Sequence, residues 1–339
     1  MAHLFDPFES RRLQLRNRIV MSPMCQYSAP EDGTVTEWHL VHYGARAVGG
    51  VGLVMLEMTQ VAPNGRLSPA DLGIWDDAQI PGLRRLADFV HSQGAPIGVQ
   101  LGHAGRKADP VFDAVGPSAI AFSDHYRVPL ALDAKGIATV IDQFAQGAHR
   151  ALEAGFDMVE MHGAHGYLLH QFLSPISNRR DDGYGGDLSG RMRLLLEVAD
   201  AVRNVLPQDM PVWARLSMLE AGAPGGYPLE DTLEAARRLH AHGIDLIDCT
   251  TGGNAPVTEP EFPGFRLPLS AAVKAAGVPA MPVGHMDYPQ LADAAISSGQ
   301  ADLVALARGL LRNPHWALAA QQALHVEPTP PIQYRRAYR

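Results

Sequence analysis

Short apolar runs alternate with longer amphipathic ones along most of the chain. The runs Ile19–Met24, Val51–Glu57, Pro96–Leu101, Phe156–Met161, Val212–Leu216, Leu246–Cys249, Ala280–Val283 and Asp302–Leu306 read as strands. Each ends in a polar or glycine-rich turn, and apolar positions then recur at helical spacing. The segments concerned are Trp38–Val48, Pro81–Ser92, Ala138–Ala154, Arg191–Val205, Leu229–His242, Leu269–Ala276, Pro289–Ser298 and Pro314–Leu324. Gly94, Gly155, Gly243, Gly277 and Gly299 fall where a left-handed helix cap wants glycine. Eight strand–helix units predict a (β/α)8 TIM barrel, as one domain over residues 1–339. The alternative is an open doubly wound sheet, but no complete G-x-G-x-x-G follows any strand. Residues near Leu13–Arg18 predict an N-terminal hairpin cap that plugs one end of the fold. Two βα loops, Gly102–Lys135 and Ser174–Gly190, are extended insertions on the strand-exit side, placed to form lids or walls. The Pro-rich, then basic tail Glu327–Arg339 is expected to be extended.

Composition narrows the partners. With 339 residues and 46% hydrophobic content, the chain can bury a sizeable core. A net charge of −8 argues against nucleic acid and anionic membrane as main partners. Cys25 and Cys249 are too few for a disulfide framework, a zinc cage or an iron–sulfur cluster, and point to a reducing cytoplasm. The start, MAHLFDPFES, has no basic and apolar regions of a signal peptide, and no apolar stretch is long enough to span a bilayer.

In a barrel the strand exits converge on one face, so the residues standing there are the candidates. The stretch Met158–Pro175 is the densest: a short strand runs into His162, His165 and Tyr167 before a helix begins. The two imidazoles read as donors to a carbonyl or nitro oxygen, as metal ligands with His103, or as hydrogen-bonded strand-end residues. Tyr167, with an ordinary pKa of about 10, stays protonated at neutral pH and suits a general acid, or simply packs on the next helix. Gln100 and Arg215 read as a flavin-edge pair, the amide matching a pyrimidine and the guanidinium a developing negative charge, or as a polar brace of the barrel mouth. Gly284 and Arg308, at the seventh and eighth exits, suit a phosphate, or a simple turn and a surface cation. Cys25 reads as a nucleophile, a redox tuner or an inert core thiol, and Cys249 as structural.

The run His162-Gly-Ala-His165-Gly-Tyr167, followed by Phe172-Leu-Ser-Pro175 and Asn178-Arg179-Arg180, resembles the Old Yellow Enzymes. With Cys25, Tyr27 and a short C-terminus the chain is similar to their thermophilic-like branch, from Ser22 to the tail. That resemblance implies one noncovalent FMN lined by Ser22, Pro23, Met24, Cys25, Met58, Gln100, Arg215, Ala307 and Arg308, with NAD(P)H as reductant. It implies that Cys25 tunes the flavin, that His162 and His165 bind the substrate's activating oxygen, that Tyr27 contacts substrate and that Tyr167 donates the proton. It also implies a homodimer or homotetramer in which Arg336, in Gln333-Tyr334-Arg335-Arg336, reaches a neighbouring subunit's site. Met58 departs from the small residue the family usually carries, and the likeness is weakest over 111–128 and 258–266. The expected activity is FMN-dependent reduction of an electron-poor alkene, a small molecule. The rivals are a metal-dependent barrel hydrolase or lyase, a flavin barrel acting on tRNA, which the charge opposes, and a non-catalytic barrel.

Overall fold

The computed structural model describes residues 1–220 and 222–338. Eight parallel strands run round a barrel: β1 Ile19–Met21, β2 Leu53–Gln60, β3 Ile97–Gly102, β4 Met158–Gly163, β5 Val212–Ser217, β6 Leu246–Thr250, β7 Ala280–Pro282 and β8 Val304–Leu306. Each pairs with its sequence neighbours, β8 pairs with β1, and a parallel bridge between Val283 and Ala305 closes the ring. All eight are buried along their length, because one face meets the barrel interior and the other the helices.

Between the strands lie α1 Glu37–Val48, α2 Ile80–Ser92, α3 Ala134–Glu153, α4 Leu188–Val205, α5 Leu229–Ala241, α6 Leu267–Ala275, α7 Pro289–Ser297 and α8 Trp316–Ala323. In α3 the buried positions Ile137, Val140, Phe144, Ala148 and Ala151 follow the helical repeat and form the stripe laid on the barrel. Asp133 and Asp187 cap α3 and α4 by accepting the Gly136 and Gly190 amides at 2.7 and 2.9 Å. The five glycines expected after helices all have positive φ.

Three expectations change. The hairpin pairs Phe8–Ser10 with Leu13–Leu15, one strand earlier than expected, while Asn17 instead braces the entry to β1 by donating to the Gly50 carbonyl at 2.8 Å. β1 stops at Met21, so Ser22, Pro23 and Met24 belong to the loop at its exit. The tail is not extended throughout: Ile332–Tyr338 winds into a 3-10 helix, since its seven residues contain no proline to forbid it. The two insertions meet. Arg180 donates to the carbonyls of Pro117 and Leu132 at 2.9 and 2.7 Å, and so ties the second insertion to the first. No helix among the described residues is long and apolar enough to cross a membrane.

Candidate active site

At the strand-exit face two hollows adjoin, with His165 and Arg215 lining both. One, of about 210 Å³, is lined by Pro23, Cys25, Tyr27, Met58, Gln100, His162 and Tyr167 besides the shared pair. The other, of about 200 Å³, is bounded by Gly284, Ala307 and Arg308, together with Arg266 and His285. Ser22 and Met24 line neither: Ser22 is wholly buried at the end of β1, and Met24 packs against the core. Arg336 sits in the tail helix and lines neither hollow.

The central motif is built by a left-handed turn. β4 ends at Gly163, and His165 adopts φ +57, a conformation that needs outside support in a non-glycine residue. Lys107 provides it, donating to the carbonyls of His165 and Gly253 at 3.0 and 3.1 Å. The turn also crosses the loop after β6 at van der Waals distance. A Cβ on Gly166 would stand 2.2 Å from the Gly253 oxygen, and one on Gly253 would stand 2.5 Å from His165 Cα. Glycine at both positions is therefore steric as well as conformational.

Hydrogen bonding assigns the imidazole tautomers. His162 Nδ1 accepts the Ala164 amide at 3.2 Å, so the neutral ring carries its proton on Nε2. That proton faces His165 Nδ1 at 3.3 Å, and His165 Nε2 in turn donates to Thr250 Oγ1 at 3.0 Å. Burial, reinforced by the Arg215 cation, holds both imidazoles well below their ordinary pKa, which keeps them neutral donors at pH 7. The Tyr167 ring stands edge-on to His162 with centroids 4.9 Å apart. Burial first, then nearby Cys25 and Tyr27, raises its phenol well above 10, so the hydroxyl keeps its proton. Burial and the Glu57 and Asp71 carboxyls likewise raise the Cys25 thiol, which is protonated at neutral pH and so is not a resting thiolate nucleophile.

Beneath the hollow, Gln100 and Arg215 each have a buried carboxyl partner rather than each other. Gln100 Nε2 donates to Glu160 Oε1 at 2.8 Å, and Arg215 Nε lies 3.3 Å from Asp248. Burial and the neighbouring Asp248 push Glu160 up to about 8. At the far end Arg308 donates to Glu261 at 2.6 Å, and Arg266 to Glu259 at 2.6 Å and Thr251 at 2.7 Å. Gly284, at φ +135, carries the chain past the Phe265 ring, where a Cβ would stand 2.7 Å away.

The sequence reading did not single out Lys107, Glu160, Asp248 or Arg266. Lys107 lies in the first insertion just past the end of β3, and the two carboxyls stand inside apolar strand runs, where a charge in an otherwise apolar run was the available signal. For metal binding, His103 Nδ1 accepts the Gly105 amide at 3.0 Å. Among the described residues no three His, Cys, Asp or Glu side chains are grouped to hold an ion.

The profile of the NADH:flavin oxidoreductase / NADH oxidase family matches residues 3–327. An NADPH dehydrogenase of Geobacillus thermodenitrificans is 45% identical over 338 residues, covering 99% of this chain and 98% of the relative. Morphinone reductase in complex with tetrahydroNAD superposes with a TM-score of 0.82 at 30% identity, over 98% of this chain and 93% of the reductase. 2-Naphthoyl-CoA reductase gives a TM-score of 0.89 at 25% identity over 96% of this chain, which spans about half (52%) of that protein's length. Match and fold agree with the motif that runs from His162 to Arg180, and the chain belongs to the NADH:flavin oxidoreductase / NADH oxidase family, the Old Yellow Enzymes, as an NAD(P)H-dependent flavin oxidoreductase that works with FMN.

Proposed function

We propose that the protein is an ene-reductase acting on electron-poor alkenes such as enones, enals, maleimides and nitroalkenes. The observation that carries this reading is the meeting of two neutral imidazole donors and a protonated phenol in one hollow. Alkene reduction needs that set: donors for the oxygen that activates the double bond, and an acid for the α-carbon.

The residues present fit FMN. The two adjoining hollows offer cationic Arg308 and Arg266 with a glycine turn at one end, which suits a phosphate, and Gln100 with Arg215 at the other, which suits a pyrimidine edge. Among the described residues the buried Ser22 hydroxyl has no hydrogen-bond partner. Ser22, Pro23, Met24, Cys25, Met58, Gln100, Arg215, Gly284, Ala307 and Arg308 are the residues that would hold the cofactor. Bound FMN supplies a hydride, drawn from NAD(P)H, to the β-carbon of the alkene.

The chain does the rest. His162 and His165 hold the carbonyl or nitro oxygen, which competes with their internal acceptors His165 Nδ1 and Thr250 Oγ1. Tyr167 delivers the proton to the α-carbon, and Cys25 and Tyr27 border the reacting face. Residues 1–339 work as one FMN-binding unit in the cytoplasm, where the free thiols Cys25 and Cys249 stay reduced. The tail lies at a subunit interface of a dimer or tetramer, with Arg336 reaching the neighbouring site.

An anaerobic absorption spectrum tests the whole sequence. The flavin bands should bleach with NADPH and return with 2-cyclohexenone. Bleaching without return across a panel of activated alkenes overturns the ene-reductase reading.

A further inference from the structure

The register of β2 carries one irregularity. Leu56 pairs with Val99 and Met58 with Gln100, which leaves Glu57 as an extra residue opposite nothing. A bulge of this kind re-aims side chains. Here Met58 lines the reactive hollow, and the Glu57 carboxyl is buried behind it.

Glu57 is bound from several sides. Its Oε2 accepts the Gln26 amide at 2.8 Å, and its Oε1 accepts the Tyr43 hydroxyl at 3.0 Å. His39 Nε2 stands 3.5 Å away, beyond hydrogen-bond contact. Because burial lowers His39 to about 4, this contact is not an ion pair at pH 7. The same arm is clipped elsewhere. Gln26 donates to the Met24 carbonyl at 2.9 Å, and its side-chain oxygen accepts Trp38 Nε1 at 3.2 Å. Within this hydrogen-bonded segment Tyr27 holds φ +51, a left-handed conformation unusual for a tyrosine.

We propose that Glu57 is a positioning residue: its buried carboxyl pins the Cys25–Tyr27 arm against the hollow and sets the electrostatic environment of the Cys25 thiol. The proposal rests on the reading that Cys25 and Tyr27 border the reacting face, but its test does not depend on turnover. The groups facing the carboxyl are His39 and Tyr43 of α1, the Gln26 amide and Cys25 of the arm, and Asp71 of the loop after β2. Burial, with Asp71 adding to it, lifts Glu57 to about 7. At the alkaline pH where a thiol titrates, Glu57 is therefore ionised and raises Cys25.

The test is iodoacetamide labelling of Cys25 in the FMN-loaded enzyme as a function of pH, with sites assigned by peptide mass. Buried Cys249 serves as the internal slow site. Glu57→Gln keeps an acceptor for the Gln26 amide and removes the charge. Its expected result is a fall of about one unit in the Cys25 labelling midpoint, and so about tenfold faster labelling at pH 8. Hydrogen exchange of the peptide covering residues 24–28 should stay slow in Glu57→Gln and speed up in Glu57→Ala. An unchanged midpoint in Glu57→Gln, or acceleration by the same factor at every pH, overturns the electrostatic role. Unchanged exchange in Glu57→Ala overturns the pinning. If Glu57→Ala does not fold, the near-isosteric Glu57→Gln carries the charge test alone, and Gln26→Pro, which deletes the pinned amide, carries the exchange test.

Discussion

The two ends of the barrel are closed in opposite ways. At the strand-entry end the hairpin is a hydrocarbon plug: Phe8, Leu13 and Leu15 pack on Leu53, Trp213, Leu246 and Leu303. At the exit end β3, β4 and β5 present Gln100, His162 and Arg215, and the loops there hold left-handed backbone at Tyr27, His165 and His285, against Arg11 in the hairpin turn. In the layer between, Arg215 Nε and Asp248 form a buried ion pair at 3.3 Å, without a hydrogen bond at that nitrogen or at either carboxylate oxygen among the described residues. Burial without hydrogen bonds costs free energy, and so does left-handed backbone at non-glycine residues. Left-handed backbone of this kind is concentrated at the exit end, although the plug also carries Arg11 at φ +49 and a buried Trp213 Nε1 without a hydrogen bond among the described residues.

The sharpest way to break this contrast is to remove one atom from the mouth. Tyr167→Phe should slow the alkene half-reaction by about 10² to 10⁴. Flavin reduction by NADPH and the melting temperature should barely move. Stopped-flow traces of the two half-reactions check it, and equal slowing of both removes Tyr167 as the proton donor. The converse substitution is Leu53→Ala in the plug, fully buried and far from the chemistry. It should cost about 2–5 kcal/mol in denaturant unfolding, with the rate constants of the folded enzyme unchanged.

A smaller effect probes the layer between the two ends. Glu160, raised to about 8, is easier to bury protonated than ionised. A carboxyl whose folded pKa lies above its unfolded one stabilises fully below the unfolded value, and that stability is lost as pH rises towards the folded value. The native state of the wild type therefore loses stability between about pH 4.5 and pH 8 relative to Glu160→Gln. Melting temperatures of the two proteins should converge at acid pH and separate at pH 8, the variant being the more stable there. Parallel curves across that window exclude Glu160 as a buried proton holder. His162 and His165 act with the opposite sign, opposing folding as pH falls through the ordinary imidazole range, and cancel in the difference.

The plug end and the mouth also differ in how much of them could be read from sequence. Apolar runs such as Ile97–Gly102 and Val212–Ser217 announce themselves because barrel strands are buried on both faces, and the strand-exit rule then delivered His162, His165, Tyr167, Gln100 and Arg215 to one place. Contacts between elements were not legible. Glu160 and Asp248 stand sixty and thirty-three residues from Gln100 and Arg215, and only strand pairing makes them partners. The bulge at Glu57 exists only in the register of two strands, and nothing in LVMLEMTQ marks it. The tail misled because its prolines end at Pro331, while the helix begins one residue later.

The smallest effect separates backbone strain from contact. Gly155, after α3, and Gly166, in the His165 turn, share a left-handed backbone, at φ +86 and +71. A Cβ on Gly155 meets nothing within 4 Å, whereas on Gly166 it would stand 2.2 Å from a carbonyl oxygen. Gly155→Ala therefore isolates the conformational cost, about 1–2 kcal/mol, and should leave activity intact. Gly166→Ala adds a clash that forces the loop after β6 away from His165, and with it the carbonyls that Lys107 holds together. It should lose alkene reduction well beyond its loss of stability, measured as kcat against the urea midpoint. Equal losses in the two variants would mean that glycine is kept at Gly166 for its torsion angle alone, and that the crossing of the two loops plays no part in placing His165.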